Sequence, residues 1–341
     1  MALFSFFNKE LAMDLGTANS IVIYNDQVVI DEPSIVAFNK NKNKIEAVGK
    51  RAQLMEGKTD NKNIETIRPL KGGVIADFEM AQHLIRELIK MTKISRRIMP
   101  PALRMVICIP SGITNVEERA VRESAEQAGA KEIRMIHEPM AAAIGIGIDV
   151  LEPYGNMIVD IGGGTAEIAV IAYGGIICKR SIKVAGDEFN DNVIEYMRKQ
   201  HNMVIGVRTA EKVKIAVGSA ISELENPPED YETPGRDLVT GLPKTINVNY
   251  TEIAHALDKS IARIESAILE TLADTPPELA ADIYKNGIHL AGGGSLLRGL
   301  DQRIKSKTKL NVHIADDPLR AVARGTGIAL KNFNNFAFLI R

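Results

Sequence analysis

Short runs rich in β-branched residues alternate along the chain with stretches in which apolar residues recur every three or four positions. A two-residue period is typical of strands and a 3.6-residue period of amphipathic helices. The predicted strands are 20–24, 27–30, 34–38, 103–109, 156–160, 166–172, 176–182 and 287–291. This mixture of strands and crossover helices predicts an α/β protein.

The helices are indicated by periodicity and by their end signals. A helix over 77–94 carries its apolar residues on one face, and the next begins at the capping box Thr114–Glu117 and stops at Gly129. The other predicted helices are 189–200, 211–217, one carrying apolar residues from 253 to 272, and one opened by Asp317 with Pro318 at its first position. The proline-rich stretch 226–243 is predicted to be a loop.

A repeated motif gives the domain organisation. Met13-Asp-Leu-Gly-Thr and Val159-Asp-Ile-Gly-Gly-Gly-Thr each follow a strand and precede another, and their aspartates lie 146 residues apart. That offset is close to one domain length, so a duplicated domain with one strand–turn–strand element in each half is the economical explanation. Two such turns facing each other would form a cleft.

The two turns have the chemistry of a nucleotide triphosphate site. Glycine lets successive backbone N–H groups approach an anion closely. Asp14 and Asp160 end the first strand of each element, and one or two carboxylates with phosphate oxygens suit Mg²⁺. A third glycine-rich element, Ala291-Gly-Gly-Gly-Ser-Leu, follows a strand and is expected to open a helix. It lacks the Gly-Lys-Ser/Thr ending of a P-loop.

Composition argues against several classes of protein, namely nucleic-acid-binding, membrane-spanning and secreted proteins. The 341 residues contain 42 Lys and Arg against 43 Asp and Glu, which argues against sequence-independent nucleic-acid binding. No run approaches the roughly 20 apolar residues that span a bilayer, and no secretory signal is evident. Cys108 and Cys178 lie in apolar runs without metal-ligand spacing, so reduced thiols in a cytoplasmic protein are expected.

Together, these motifs resemble those of the actin, DnaK-type chaperone and sugar kinase superfamily. The two aspartate–glycine turns and the third glycine element resemble its two phosphate motifs and its adenosine motif. The segments around Glu138-Pro-Met-Ala-Ala-Ala and Ala321-Val-Ala-Arg-Gly-Thr-Gly resemble its two interdomain connections. Met13-Asp-Leu-Gly-Thr-Ala-Asn and Thr209-Ala-Glu-Lys-Val-Lys are similar to the MreB family of bacterial actins in particular.

The resemblance implies an actin-like (ribonuclease H-like) fold of duplicated domains around a central nucleotide cleft. Domain I would comprise 1–145 and 315–341 with a small insertion at about 34–75. Domain II would comprise 146–314 with an insertion at about 183–250.

It also implies residue roles. ATP or ADP would be bound with Mg²⁺, which Asp14 and Asp160 would hold. The phosphates would be bound by Gly16, Thr17, Ala18, Asn19, Gly162, Gly163, Gly164 and Thr165. The sugar and base would be bound by Glu211, Lys214, Gly292, Gly293, Gly294, Ser295 and Leu296. Glu138 and Thr165 would orient the attacking water, although Glu138 could instead be a structural residue before a proline-started helix.

Two apolar segments are candidate membrane contacts. Leu3, Phe4, Phe6 and Phe7 would form an interfacial wedge if helical, or an edge strand packed on the core. Ile94, Ile98 and Met99, beside two arginines, resemble the membrane loop of some MreB proteins, or form an ordinary turn. The apolar C-terminal residues 332–341 are expected either to pack on the first domain or to help form a membrane-facing surface.

Three functions therefore compete. The first is an ATP-driven filament protein that organises cell-wall synthesis at the inner face of the cell membrane, with itself and the elongation proteins MreC, MreD and RodZ as the partners that the resemblance implies. The second is a small-molecule kinase of the same superfamily, which would need an acceptor pocket. The third is a segregation filament or a nonpolymerising ATP-dependent regulator.

Overall fold

The structure is a computed structural model and describes residues 9–60, 62–92 and 103–340. The strands are β1 (Lys9–Leu15), β2 (Asn19–Tyr24), β3 (Gln27–Pro33), β4 (Val36–Asn39), β5 (Lys44–Val48), β6 (Ile64–Ile67), β7 (Leu70–Lys71), β8 (Val74–Ile75), β9 (Leu103–Ile109), β10 (Ala130–His137), β11 (Asn156–Ile161), β12 (Ala166–Ala172), β13 (Gly175–Ile182), β14 (Met203–Val204), β15 (Tyr231–Asp237), β16 (Pro243–Val248), β17 (Ile288–Ala291) and β18 (Val312–Ile314).

The helices are α1 (Lys50–Gln53), α2 (Phe78–Met91), α3 (Asn115–Gln127), α4 (Glu138–Gly145), α5 (Gly186–His201), α6 (Val207–Val217), α7 (Tyr250–Ala273), α8 (Pro277–Asn286), α9 (Leu300–Thr308) and α10 (Ala321–Lys331). Short 3₁₀ turns lie at Gly293–Leu296 and Pro318–Arg320. Within the described part of the chain, no helix is long and apolar enough to cross a membrane.

The chain divides into two compact units. Unit 1 comprises Met1–Pro153, Ile171–Ile176 and Leu319–Arg341, and unit 2 comprises Tyr154–Val170 and Ile177–Pro318. The main sheet of unit 1 has the order β10-β9-β1-β2-β3. Its β1, β9 and β10 are parallel, whereas β2 and β3 run antiparallel to their neighbours. Apolar residues of β1 and β9 pack with those of α2 and α3 in one buried core.

Unit 2 repeats this plan. Its main sheet has the order β13-β12-β11-β17-β18, and β11, β17 and β18 are parallel. If β11 is matched to β1, then β12, β13, β17 and β18 fall in the places of β2, β3, β9 and β10. The strand order therefore confirms the duplication that the repeated motif predicted.

Each unit also carries small sheets. Unit 1 contains the sheet β5-β4-β6 and the hairpin β7-β8, and unit 2 contains the sheet β14-β15-β16. The prediction of a loop over 226–243 was wrong, because β15 runs through it. Pro234, which donates no backbone hydrogen bond, is tolerated because β14 pairs only with Arg236 and Asp237, so Pro234 lies beyond the reach of that neighbour.

Two helix boundaries also differ from those predicted. Pro318 starts a 3₁₀ turn, and α10 begins only at Ala321. The glycine-rich element after β17 likewise forms a 3₁₀ turn, and α9 starts at Leu300. The expected capping box at Thr114 and Glu117 is present, with both reciprocal hydrogen bonds. Both cysteines are free: Cys108 is buried and Cys178 is half-buried.

The helices α4 and α10 cross at very close range within unit 1. A Cβ atom at Gly325 would lie 1.8 Å from the carbonyl oxygen of Ala141, and one at Gly145 would lie 1.8 Å from that of Ala321. This reciprocal approach explains why small residues fill the segments that resemble the interdomain connections. The C-terminal residues pack on unit 1, where Met135 and Ile340 exchange backbone hydrogen bonds.

Candidate functional site

The first turn, Gly16–Ala18, joins β1 to β2 and is fixed by residues from the segment between β3 and α2. The Ser34 hydroxyl donates a 2.6 Å hydrogen bond to the Gly16 carbonyl oxygen, and the Ser34 backbone N–H donates to that of Ala18 at 2.9 Å. The Thr17 hydroxyl accepts a hydrogen bond of 3.2 Å from the backbone N–H of Gly73. The side chain of Thr17 is thereby turned into the protein, so any phosphate contact here falls to the backbone of the turn.

Strand register brings Glu138 to the same sheet edge as this turn. Asp14 of β1 is paired with Cys108 of β9, and the next residue of β9, Ile109, is paired with His137 of β10. Because the carboxyl ends of parallel strands meet at one edge, Asp14, the first turn and Glu138 lie along that edge. Glu138 is partly exposed and is the first residue of α4.

Asp14 is half-buried, and desolvation by the surrounding protein raises the pKa of its carboxyl group to about 7. The cost of burying a carboxylate is offset when a cation binds beside it. The equivalent residue of unit 2, Asp160, has only 4% of its surface exposed. Both side chains therefore fit a divalent cation.

The second turn, Gly162–Thr165, is fixed by backbone groups. The Gly162 N–H donates to the Thr165 carbonyl oxygen at 2.9 Å, closing the turn. The first two residues of α5 then donate to it: the Gly186 N–H to the Gly162 carbonyl oxygen at 3.2 Å, and the Asp187 N–H to that of Gly163 at 2.8 Å. The N-terminus of α5, with its partial positive charge, thus lies against the second turn.

Lys214 and Glu211 of α6 join this cluster. The Lys214 ammonium group donates to the Glu211 carboxylate at 2.8 Å and to the Gly186 carbonyl oxygen at 3.1 Å. Asn190 of α5 donates to the same Glu211 oxygen at 2.7 Å. Because only 14% of its side chain is exposed, Lys214 is part of a largely buried polar cluster and not of an ion pair on the protein surface.

The glycine-rich turn after β17 packs directly on Asp160. Asp160 of β11 is paired with Ala291 of β17, so the following residue, Gly292, lies beside the carboxylate. A Cβ atom at Gly292 would be 2.4 Å from Oδ1 of Asp160 and 2.3 Å from the Ile161 carbonyl oxygen. Only glycine allows this approach.

The remaining residues of this turn differ in accessibility. Gly293 and the side chain of Leu296 are exposed. Ser295 is fully buried and its hydroxyl donates to the Gly292 carbonyl oxygen at 2.7 Å, so its side chain stabilises the turn. Gly293 and Leu296 are therefore the predicted base-binding residues that a ligand can reach.

In unit 2 the structure thus brings together three elements predicted separately: the second turn, the Glu211–Lys214 pair and the Gly292 turn. In unit 1 it brings Glu138 to the edge that carries the first turn. Sequence reasoning missed Gly186, Asp187 and Asn190, although a glycine followed by two acidic residues before an amphipathic run is a recognisable helix start. The candidate membrane residues Leu3, Phe4, Phe6, Phe7, Ile94, Ile98 and Met99 lie outside the described residues.

The number of potential ligand side chains that lie close together indicates which kind of metal ion the protein fits. Among the described residues, no group of three or more His, Cys, Asp or Glu side chains could hold a metal ion. This is compatible with Mg²⁺, which takes one or two carboxylates and completes its shell with water and phosphate oxygens.

Comparison with known proteins gives a consistent result. The model of the family described as MreB/Mbl protein matches residues 8–337. The chain is 44% identical to the cell shape-determining protein Mbl of Bacillus subtilis (strain 168) over 329 residues, 96% of this chain and 97% of that protein. It is also 44% identical to the cell shape-determining protein MreB of Escherichia coli (strain K12) over 330 residues, 95% of this chain and 94% of that protein.

The solved structures of MreB5 of Spiroplasma citri agree with this. The ADP-bound structure superimposes with a TM-score of 0.90 at 38% identity and covers 96% of this chain and 99% of its own. The structure bound to AMPPNP gives 0.88 at 39% identity and covers 96% and 97%. The fold is therefore actin-like, as predicted, and the chain belongs to the MreB/Mbl family.

Proposed function

We propose that the protein is an ATP-dependent bacterial actin that forms filaments, organises cell-wall synthesis to maintain rod shape, and hydrolyses ATP slowly. The observation that carries this proposal is that, in unit 2, the N-terminus of α5 contacts both the second turn and Lys214, while the Gly292 turn packs on Asp160 and Ile161 just before the second turn. Relatives named cell shape-determining proteins, and an MreB5 solved with AMPPNP and with ADP, support it.

Nucleotide binding is assigned as follows. Backbone N–H groups of Gly16–Asn19 and of Gly163, Gly164 and Thr165 donate to phosphate oxygens, while Gly162 closes the second turn, and the helix dipole of α5 favours the negative charge beside that turn. Lys214 and Glu211 bind the sugar and base edge, and Gly293 with Leu296 contacts the base. Asp14 and Asp160 hold Mg²⁺, which supplies charge neutralisation for the phosphates when bound.

Hydrolysis requires a group that orients the attacking water. Water attacks the γ-phosphorus, the bond from that phosphorus to the β–γ bridging oxygen breaks, and ADP and inorganic phosphate are released. Glu138 accepts a hydrogen bond or the proton from this water, and Thr165 helps to orient it. The place of Glu138 at the carboxyl edge of the unit 1 sheet, beside the first turn, supports this role.

The test is Glu138→Gln. The amide keeps the size of the side chain but cannot accept the proton, so we expect ATP turnover to fall by about 100-fold or more while ATP affinity stays within about twofold. Phosphate release and the affinity of a fluorescent ATP analogue measure the two quantities. Glu126→Gln, on an exposed position of α3, is the control. Undiminished turnover in Glu138→Gln would remove this residue from the mechanism.

Attachment to the inner face of the cell membrane is supported by the strand register. Lys9, the first residue of β1, pairs with Leu103, the first residue of β9. The described residues that follow the two candidate apolar segments, Lys9 and Leu103, therefore begin neighbouring strands of one sheet. Two weak apolar contacts on each subunit would add up along a filament. MreC, MreD and RodZ are the proposed cell-wall partners.

Two assays with ATP test the assembly and the attachment. Pelleting with electron microscopy should show filaments, and flotation with anionic liposomes should carry them upward. Deletion of residues 2–8, or replacement of Ile94, Ile98 and Met99 by serine, should weaken flotation but preserve pelleting. A phosphorylated small-molecule acceptor in the same reaction, without filaments, would favour a kinase instead.

A further inference from the structure

The residues after α10, Asn332–Ile340, form a strap along β10. The backbone N–H groups of Met135 and Ile340 each donate to the carbonyl oxygen of the other, both at 2.9 Å. β10 is the last strand of the unit 1 sheet, so the far end of the strap pairs with an edge strand. Such pairing covers backbone groups that would otherwise face solvent.

The near end of the strap is held by Phe333. Two guanidinium groups lie over its ring, with Arg104 of β9 at 4.8 Å and Arg134 of β10 at 4.4 Å from the ring centroid. Arg134 also donates a hydrogen bond to the Phe333 carbonyl oxygen. Arg104 is itself fixed by ion pairs with Glu10 at 2.9 Å and Glu132 at 3.0 Å. With 5% of its surface exposed, Phe333 is a desolvated cation–π anchor.

Both attachment points lie immediately before Glu138. Arg134 and Met135 are four and three positions upstream of it, on the strand that ends at His137. On the C-terminal side of Glu138, α4 packs closely against α10, the helix that leads into the strap. The contacts are those at Gly325 and Gly145. The last part of the chain therefore holds the β10–α4 segment on both sides of Glu138.

We propose that the strap is a positioning element for Glu138 and that Phe333 is its principal positioning residue. This inference rests on the proposed role of Glu138 in hydrolysis. The orientation of an attacking water is lost when a catalytic group moves by about an ångström. The elements assigned to nucleotide binding are the two turns, α6 and the Gly292 turn, whereas the strap is anchored on β9 and β10. Loosening the strap therefore lowers the turnover number without changing nucleotide affinity.

Three variants of phenylalanine test this in the full-length protein. Phe333→Leu keeps an apolar side chain but removes the ring that the two arginines contact, and we expect turnover to fall about tenfold with ATP affinity within about twofold. Phe333→Tyr keeps the ring and should restore turnover. Phe336→Leu is the matched control, because Phe336 stacks on Phe338 and not on the arginines. Amide hydrogen exchange at Met135 and its neighbours should become faster in Phe333→Leu alone.

The outcomes separate this inference from the proposed function. In a Glu138→Gln background, Phe333→Leu should cause no additional loss of turnover, because both changes act through one group. An additional loss, an equal loss of affinity and turnover, or unchanged turnover despite faster exchange at Met135 would each overturn the strap proposal.

The turnover of Glu138→Gln shows separately whether the proposed hydrolysis mechanism is wrong. If Glu138→Gln hydrolyses ATP like the unaltered protein, the hydrolysis assignment fails, and the strap then has no group to position. If Phe333→Leu does not fold, Ile340→Pro carries the same test, since it removes the N–H group that donates to Met135, and Ile340→Ala is its control for the loss of the isoleucine side chain from the core of unit 1.

Discussion

The two strand–turn–strand elements have matching sequences, yet different parts of the protein hold them. The turn after Asp14 is fixed by Ser34 and by the N–H group of Gly73, which both lie between β3 and α2 in unit 1. The turn after Asp160 is fixed by the first two N–H groups of α5. Duplication thus preserved the turn and its strands, whereas the surrounding support was built separately in each unit.

The difference extends to how much space surrounds the equivalent glycines. A Cβ atom at Gly16 would lie 2.7 Å from the Asn19 carbonyl oxygen, far inside van der Waals contact. At Gly162 the nearest atom, the Thr165 carbonyl oxygen, would be at 3.5 Å, which is an ordinary contact. In unit 2 the close approach occurs instead at Gly292, which packs against Asp160 and Ile161. The same motif therefore tolerates substitution differently in its two copies.

The largest expected decrease in the free energy of unfolding results from a substitution at Gly292. Its backbone has φ 77° and ψ 163°, a conformation that is essentially restricted to glycine, and an added Cβ would overlap the Ile161 carbonyl oxygen. We expect Gly292→Ala to lower the free energy of unfolding by about 3 kcal/mol or more. Urea unfolding measures this. Gly206→Ala, at the N-cap of α6 and in open space, should lower it by only about 1 kcal/mol or less, through the weaker helix cap. Equal stability of the two variants would refute the close packing at Asp160.

The second largest expected loss of stability comes from the comparison of Gly16 with Gly162, the equivalent glycines of the two turns. Gly16→Ala should lower the free energy of unfolding by about 2 kcal/mol, because the carbonyl oxygen of Asn19 must move. Gly162→Ala, at the equivalent position, should lower it by less than about 0.5 kcal/mol, because the methyl group makes only an ordinary contact. Both values come from denaturant titrations of the nucleotide-free protein. Similar losses in the two variants would mean that the turns are equally constrained.

The smallest effect concerns the support of the first turn. Ser34 is fully buried, and its hydroxyl lies 2.8 Å from that of Ser20 as well as bonding to the Gly16 carbonyl oxygen. Ser34→Ala should cost about 1 kcal/mol of unfolding free energy. Amide hydrogen exchange should become faster around residues 16–20 and stay unchanged around 162–166. Ser266→Ala, on a partly exposed face of α7, serves as the control. Faster exchange in both turns would show that their supports are shared.

Most element types were predictable from local pattern. The strands β9 and β12 lie where the apolar runs placed them, and α3 begins at the expected capping box, because these signals depend on residues close together in sequence. β15 was missed because Pro234 and Gly235 are typical of loops. Its strand conformation depends on pairing with β16, which no local pattern shows.

The candidate site was predictable as a set of motifs but not as an arrangement. Asp14, Asp160 and the glycine-rich elements were identified from their spacing and from the resemblance to a family. The part played by α5 was missed, since the bonds from Gly186 and Asp187 join the second turn to a helix that begins more than twenty residues later. The same holds for Phe333, whose partners Arg104 and Arg134 are about 200 residues away in sequence.

By itself, the sequence determined the α/β class, the duplication and the family, because periodicity and motif spacing are properties of neighbouring residues. The tertiary structure decided which glycines cannot be replaced, which groups hold each turn, and that the C-terminal residues pack along β10 beside Glu138. These features arise where backbone segments distant in sequence approach to within hydrogen-bonding or van der Waals distance. Such approaches are fixed by packing, and the residues involved carry no local signal of their partners.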